Sequence, residues 1–178
     1  MLRIDKLSGD FENVLWVADA VSKDETRRAL WNVLITKEQK AVATDGHRLH
    51  IADLKFGPED GYEAGQYEII KRTKKEIVLQ RIDDALADNY PPYEQVSPKI
   101  PKGMKSTAAN ERDDAVAIVV RGMETGFISC EYTSDALGCD KDGKYGKLME
   151  IYVFGDAKPI VFKSDGRHAV VMPKRNKL

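Results

Sequence analysis

Cysteine is scarce in this chain: Cys130 and Cys139, with eight residues between them, are the only two. That spacing matches no zinc-ligand pattern, and none of His47, His50 and His168 lies near them in sequence. Cys130 falls in an apolar, strand-like run and is read as a buried reduced thiol. Long apolar runs are also missing. The longest, Ala115 to Val120, is far too short to span a bilayer. Met1 to Asp10 carries Arg3, Asp5 and Lys6 and has no apolar core region, which does not fit a signal peptide. The expectation is a soluble, cytoplasmic protein. A charge excess of either sign is absent: 28 basic residues face 29 acidic ones, for a net charge of −1. Overall electrostatics therefore predict neither a nucleic-acid binder nor a receptor for acidic ligands. The chain has no Gly-rich phosphate loop ending in Lys-Ser/Thr and no Gly-x-Ser-x-Gly elbow.

His47 with Asp45 or Asp53 would need a nucleophile that no motif supplies, and Asp45 is better explained by its turn. Asp83, Asp84 and Asp88 are read as a solvated helix end rather than a cation site. The sequence is thus read as non-enzymatic, with no cofactor, no metal and no membrane partner.

The 178 residues suffice for one domain with a real core. Hydrophobic residues make up 42% and charged ones 32%, so the surface is well solvated. The charge is uneven. Lys71, Arg72, Lys74, Lys75 and Arg81 face Glu76 alone, and the tail from Lys158 is rich in Lys and Arg.

Leu2 to Leu7 alternates apolar and polar, as a half-buried strand does. Asp10 is placed as a helix N-cap, and Phe11, Val14, Leu15, Ala18 and Val21 recur at helical spacing, which predicts a helix over Phe11 to Val21. Leu30 to Thr36, Lys40 to Thr44 and His47 to Leu54 read as a three-strand meander, the last pair joined at Asp45-Gly46, a tight-turn dipeptide. His50 alternates with Leu49 and Ile51 and is placed on the solvated face. Gln66 to Ile70 reads as a strand. Thr73-x-x-Glu76 reads as a capping box opening a helix over Lys74 to Ala87. Four of the seven prolines, Pro91, Pro92, Pro98 and Pro101, fall in 89 to 103, an ordered extended crossing. Ala115 to Arg121 and Phe127 to Thr133 read as strands, Ser134 to Gly146 as a flexible loop, and Leu148 to Phe154 as a strand. Pro159 to Lys163 and Arg167 to Met172 read as a closing hairpin around Asp165-Gly166.

Four stretches in order carry a family resemblance. Ala43-Thr44-Asp45-Gly46-His47-Arg48-Leu49 resembles the signature of the bacterial DNA polymerase III beta subunit, the replicative sliding clamp. Glu25 to Leu30 with Val33-Leu34 resembles the segment upstream of it. Tyr90-Pro91-Pro92-Tyr93-Glu94-Gln95-Val96-Ser97-Pro98 resembles the clamp's aromatic-Pro-x-Tyr-x-x-Val-x-Pro, and Ala169-Val170-Val171-Met172-Pro173-Lys174-Arg175 resembles its Val-Met-Pro-Met-Arg. Much of 99 to 158 has no counterpart.

The resemblance implies an α+β, DNA-clamp-like fold of two β-α-β-β-β units, about 1–56 and 66–178, with helices on one side of antiparallel sheet. It implies a hydrophobic pocket for polymerase-type peptides, using Leu30, Thr44, Gly46, His47, Arg48, Leu49, Pro91, Val96, Val170, Met172 and Pro173. His47 and Arg48 would stand at its rim. Lys174 stands where the family often has Met. Duplex DNA would meet Lys74 and Arg81, seven apart on one helical face, with Arg27 and Arg28 beside them. The family's rings imply a homo-oligomer. The competing expectation keeps fold and pocket but never encircles DNA: a stand-alone peptide-binding module, accessory or decoy.

Overall fold

The computed structural model describes residues 1–83, 89–104, 106–108, 128–138, 150–154 and 158–174. The chain forms two compact units, Met1–Pro92 and Tyr93–Leu178. The division falls inside the proline-rich stretch.

The first unit opens with β1 (Leu2–Asp5), whose side chains alternate buried and exposed as its sequence does. Helix α1 (Phe11–Val17) follows and closes with a 3-10 turn over Ala18–Ala20. Its inward stripe of Phe11, Val14, Trp16 and Val17 is fully enclosed. A 3-10 turn, Arg28–Trp31, leads into β2 (Val33–Ile35), so the strand expected from Leu30 begins later. Strands β3 (Lys40–Thr44) and β4 (Arg48–Asp53) pair from Lys40 with Asp53 to Thr44 with Leu49, and the β-α-β-β-β order read from the sequence holds here. Strands β5 (Gly65–Arg72) and β6 (Glu76–Arg81) complete an antiparallel sheet in the order β1-β6-β5-β2-β3-β4. Helix α1 packs on β3, β4 and β6.

The helix expected over Lys74 to Ala87 is corrected: Glu76–Arg81 is strand β6, and 84–88 lie outside the described residues. Ile77, Val78 and Leu79 form a continuous buried run between β1 and β5, which a strand covered on both faces needs and an amphipathic helix does not. The apparent capping box closes the β5–β6 hairpin. Thr73 Oγ1 accepts from the amides of Lys75 and Glu76 at 3.2 and 3.0 Å, and Thr73 N donates to Glu76 O at 2.9 Å. A hydroxyl that caps exposed amides serves a turn as well as a helix start.

His50 is also corrected: it is buried, not solvated. Its ring stacks on Trp16 with centroids 4.2 Å apart, and Nδ1 donates to Trp16 O at 2.9 Å. Arg48, Leu49 and His50 are all buried, so alternation along β4 no longer separates inside from outside.

Among the described residues the second unit carries α2 (Cys130–Leu137) and four strands, β7 (Thr107–Ala108), β8 (Glu150–Val153), β9 (Ile160–Ser164) and β10 (Arg167–Val171). They pair antiparallel in the order β10-β9-β8-β7, and α2 packs on β10. The closing hairpin appears as expected, and β8 is the described part of the strand expected over Leu148 to Phe154. The strand expected over Phe127 to Thr133 and the loop from Ser134 are corrected by α2. Ser129 Oγ accepts from Tyr132 N, and Gly138, left-handed at φ 64°, stops the helix. These start and stop signals outweigh the β-propensity of Tyr132 and Thr133. Cys130 lies on the exposed first turn and is not the buried thiol expected. The strand expected over Ala115 to Arg121 lies outside the described residues.

Asp10 makes no side-chain cap on α1. It is wholly buried, and its carboxylate accepts from Lys55 N at 2.8 Å and Phe56 N at 3.2 Å, fixing the exit of β4 to the helix entrance. Asp10→Ala should lower unfolding free energy by about 1–3 kcal/mol, the cost of stranding such donors, with Asp10→Asn losing less. Urea denaturation followed by circular dichroism checks this.

Candidate functional site

Asp45 shapes the β3–β4 turn. Its Oδ1 accepts from His47 N at 2.8 Å and Arg48 N at 3.0 Å, while Oδ2 takes Arg48 Nε at 3.1 Å. Thr44 Oγ1 donates to Arg48 O at 2.6 Å and accepts from Gly46 N at 3.1 Å. Arg48 is therefore not a rim residue: its side chain is only 5% exposed and stiffens the turn from inside. His47 is exposed. Gly46 has φ +88°, and a Cβ there would lie 2.6 Å from Arg27 Nη1.

Arg27 reaches this turn from the segment before β2. Its Nη1 donates to Asp45 O at 3.4 Å, and its Nε lies 3.6 Å from Asp24 Oδ2. The amide and hydroxyl of Thr26, with Arg27, hold the Asp24 carboxyl below the usual carboxylate range. Leu30, one turn later, is buried, with its amide on Arg27 O. The first unit thus gathers Leu30, Thr44, Gly46, His47, Arg48 and Leu49 around one hairpin. Pro91 joins through its neighbour: Tyr90 Oη donates to Val42 O on β3 at 3.4 Å.

In the second unit Val170 is buried on β10, and Met172 and Pro173 follow the strand. Met172 is 36% exposed, and Val96, at the end of the 3-10 turn Tyr93–Gln95, is 49% exposed. Ser97 Oγ lies 2.9 Å from His168 Nε2, which brings the Val96 segment beside β10. Ser97, within the Tyr90 to Pro98 motif, and His168, in the closing hairpin, are given no role by the sequence alone.

The DNA candidates do not share a helical face. Lys74 is exposed in the β5–β6 turn. Arg81 ends β6, with Nε and Nη2 on Ala64 O at 3.3 and 3.2 Å. Arg28 stacks over Trp31 at 6.0 Å. Among the described residues no group of three or more His, Cys, Asp or Glu is placed to hold a metal, and no helix is long and apolar enough to cross a membrane.

No protein-family profile matches the chain. No curated protein sequence matches it either. Solved structures do match, bacterial sliding clamps among them. DNA polymerase III subunit beta from Borrelia burgdorferi, in complex with a natural product, is 14% identical with a TM-score of 0.57, over 99% of this chain and 65% of that one. The DNA polymerase sliding clamp from Pseudomonas aeruginosa is 15% identical with a TM-score of 0.58, over 98% and 66%. The Helicobacter pylori beta clamp bound to a DNA ligase peptide is 12% identical with a TM-score of 0.54, over 92% and 62%. The chain has the sliding-clamp fold, of the α+β class, as the resemblance implied. It spans less than two thirds of the length of these clamps.

Gly46→Ala should cost about 1–2 kcal/mol through its left-handed backbone, with Arg27 swinging aside. Thermal unfolding reads the loss, and NMR shifts of the Asp24 to Arg28 amides report the displaced guanidinium.

Proposed function

We propose that the chain is a non-enzymatic, clamp-fold protein of DNA replication or repair that captures short peptides from polymerase-type partners. The observation that carries this reading is the fold likeness, over nearly the whole chain, to sliding clamps, one of them solved with a DNA ligase peptide. In the first unit the residues proposed to meet a peptide are Leu30, Thr44, Gly46, His47, Leu49 and Pro91, with Arg48 bracing their turn. In the second unit they are Val96, Val170, Met172 and Pro173. Val96 and Met172 are large apolar side chains left substantially exposed, which suits a peptide's apolar anchors. His47, exposed on a rigid turn, suits a peptide carbonyl or an acidic end.

A second reading, a peptide-binding module that does not encircle DNA, draws support from the cations. Arg27, Arg28 and Arg81 each engage groups of their own unit. Lys74 is then the strongest candidate for a phosphate contact.

A peptide bearing Gln and a Leu-Phe end should bind in the micromolar range by calorimetry. Met172→Ala with Leu30→Ala should abolish binding, each truncation costing about 1–3 kcal/mol. Equal binding by a double variant shown folded by circular dichroism would refute the assignment. Light scattering separates the two readings, since ring formation requires a closed oligomer in solution. If duplex DNA is bound, log affinity should fall with log salt by about 0.9 per phosphate neutralised. No binding at low salt favours the module.

A further inference from the structure

This inference rests on the peptide-binding reading and concerns two residues that reading leaves out. Tyr93–Gln95 forms one short turn, closed by Val96 N donating to Tyr93 O at 3.2 Å. Pro92 and Pro98 bracket the segment and restrict its backbone at both ends. It is not part of a strand, so no ladder of backbone hydrogen bonds sets its place. Yet it carries Val96, one of the exposed apolar side chains proposed to meet a peptide.

The next residue supplies a fixed point. Ser97 Oγ lies 2.9 Å from His168 Nε2, across 71 residues of sequence. His168 is in β10, which pairs along its length with β9 and is rigid for that reason. It lies two residues before Val170, and alternate residues of a strand share a face; Met172 follows directly after the strand's end. A serine hydroxyl both donates and accepts, so it satisfies Nε2 in either imidazole tautomer. We propose that Ser97 and His168 are a positioning pair that holds the Tyr93–Val96 turn on β10 and sets where Val96 stands for an incoming peptide.

Ser97→Thr and Ser97→Val have nearly the same shape and differ in a hydroxyl against a methyl. In the full chain, the Gln and Leu-Phe peptide should bind the Thr variant about as tightly as wild type. It should bind the Val variant about three- to tenfold more weakly, the worth of one hydrogen bond. His168→Ala should weaken binding similarly. Amide hydrogen exchange at Val96 should quicken in the Val and Ala variants and not in the Thr variant. Equal affinity of the Thr and Val variants, with unchanged exchange at Val96, overturns the pair. If wild type binds no peptide, the peptide reading fails by itself. Exchange at Val96 then decides the positioning alone: faster exchange in the Val variant supports it, and an unchanged rate ends it.

Discussion

One carboxylate organises the most informative part of this chain. Asp45 takes two successive backbone amides and one guanidinium, so the β3–β4 turn is fixed from within. The strand that leads into it, with Ala41, Val42 and Ala43 wholly buried, is where α1 packs. A turn held by charge-assisted hydrogen bonds is stiff, and stiffness makes an exposed His47 usable as a placed polar group. Arg27 completes the arrangement by donating to Asp45 O, its guanidinium lying where a Cβ at Gly46 would crowd it.

Polar side chains elsewhere in the first unit work in the same way. Asp10 ties the end of β4 to the start of α1. His50 spends Nδ1 on a carbonyl of α1 while its ring lies flat on Trp16. Asn13 Nδ2 donates to Asp53 O at 2.9 Å, and Arg72 donates to Leu15 O and Ala18 O near the other end of the helix. A helix of only seven residues is marginal alone, and these ties fix its height and rotation on the sheet. The second unit shows the same economy in one contact, between Ser97 and His168.

Much of the fold was legible because it rests on local rules. The Asp45-Gly46 and Asp165-Gly166 hairpins follow from turn chemistry, and β1, α1 and β3 to β5 follow from periodicity. The motif residues of the resemblance were legible too, because they cluster in short runs. Failures came where a local signal has two physical uses. Thr73-x-x-Glu76 offers a hydroxyl to free amides, and either a helix start or a hairpin can use it. Ile77 to Leu79 is apolar enough for a helix core or a covered strand. Only pairing with β1 and β5 chooses between them.

By itself, then, the sequence determined the Asp-Gly turns and which runs are apolar, since such turns and alternation depend on neighbours a few residues away. The tertiary structure decided which strands are covered on both faces, and so that His50 is interior and Glu76–Arg81 extended. It also decided which polar groups are spent on the protein itself: Arg48 on Asp45, Arg81 on Ala64, and Ser97 on His168. The physical reason is range. Periodicity samples contacts within a few residues, whereas burial and hydrogen-bond partnership are set by segments tens of residues apart that meet only when the sheets close.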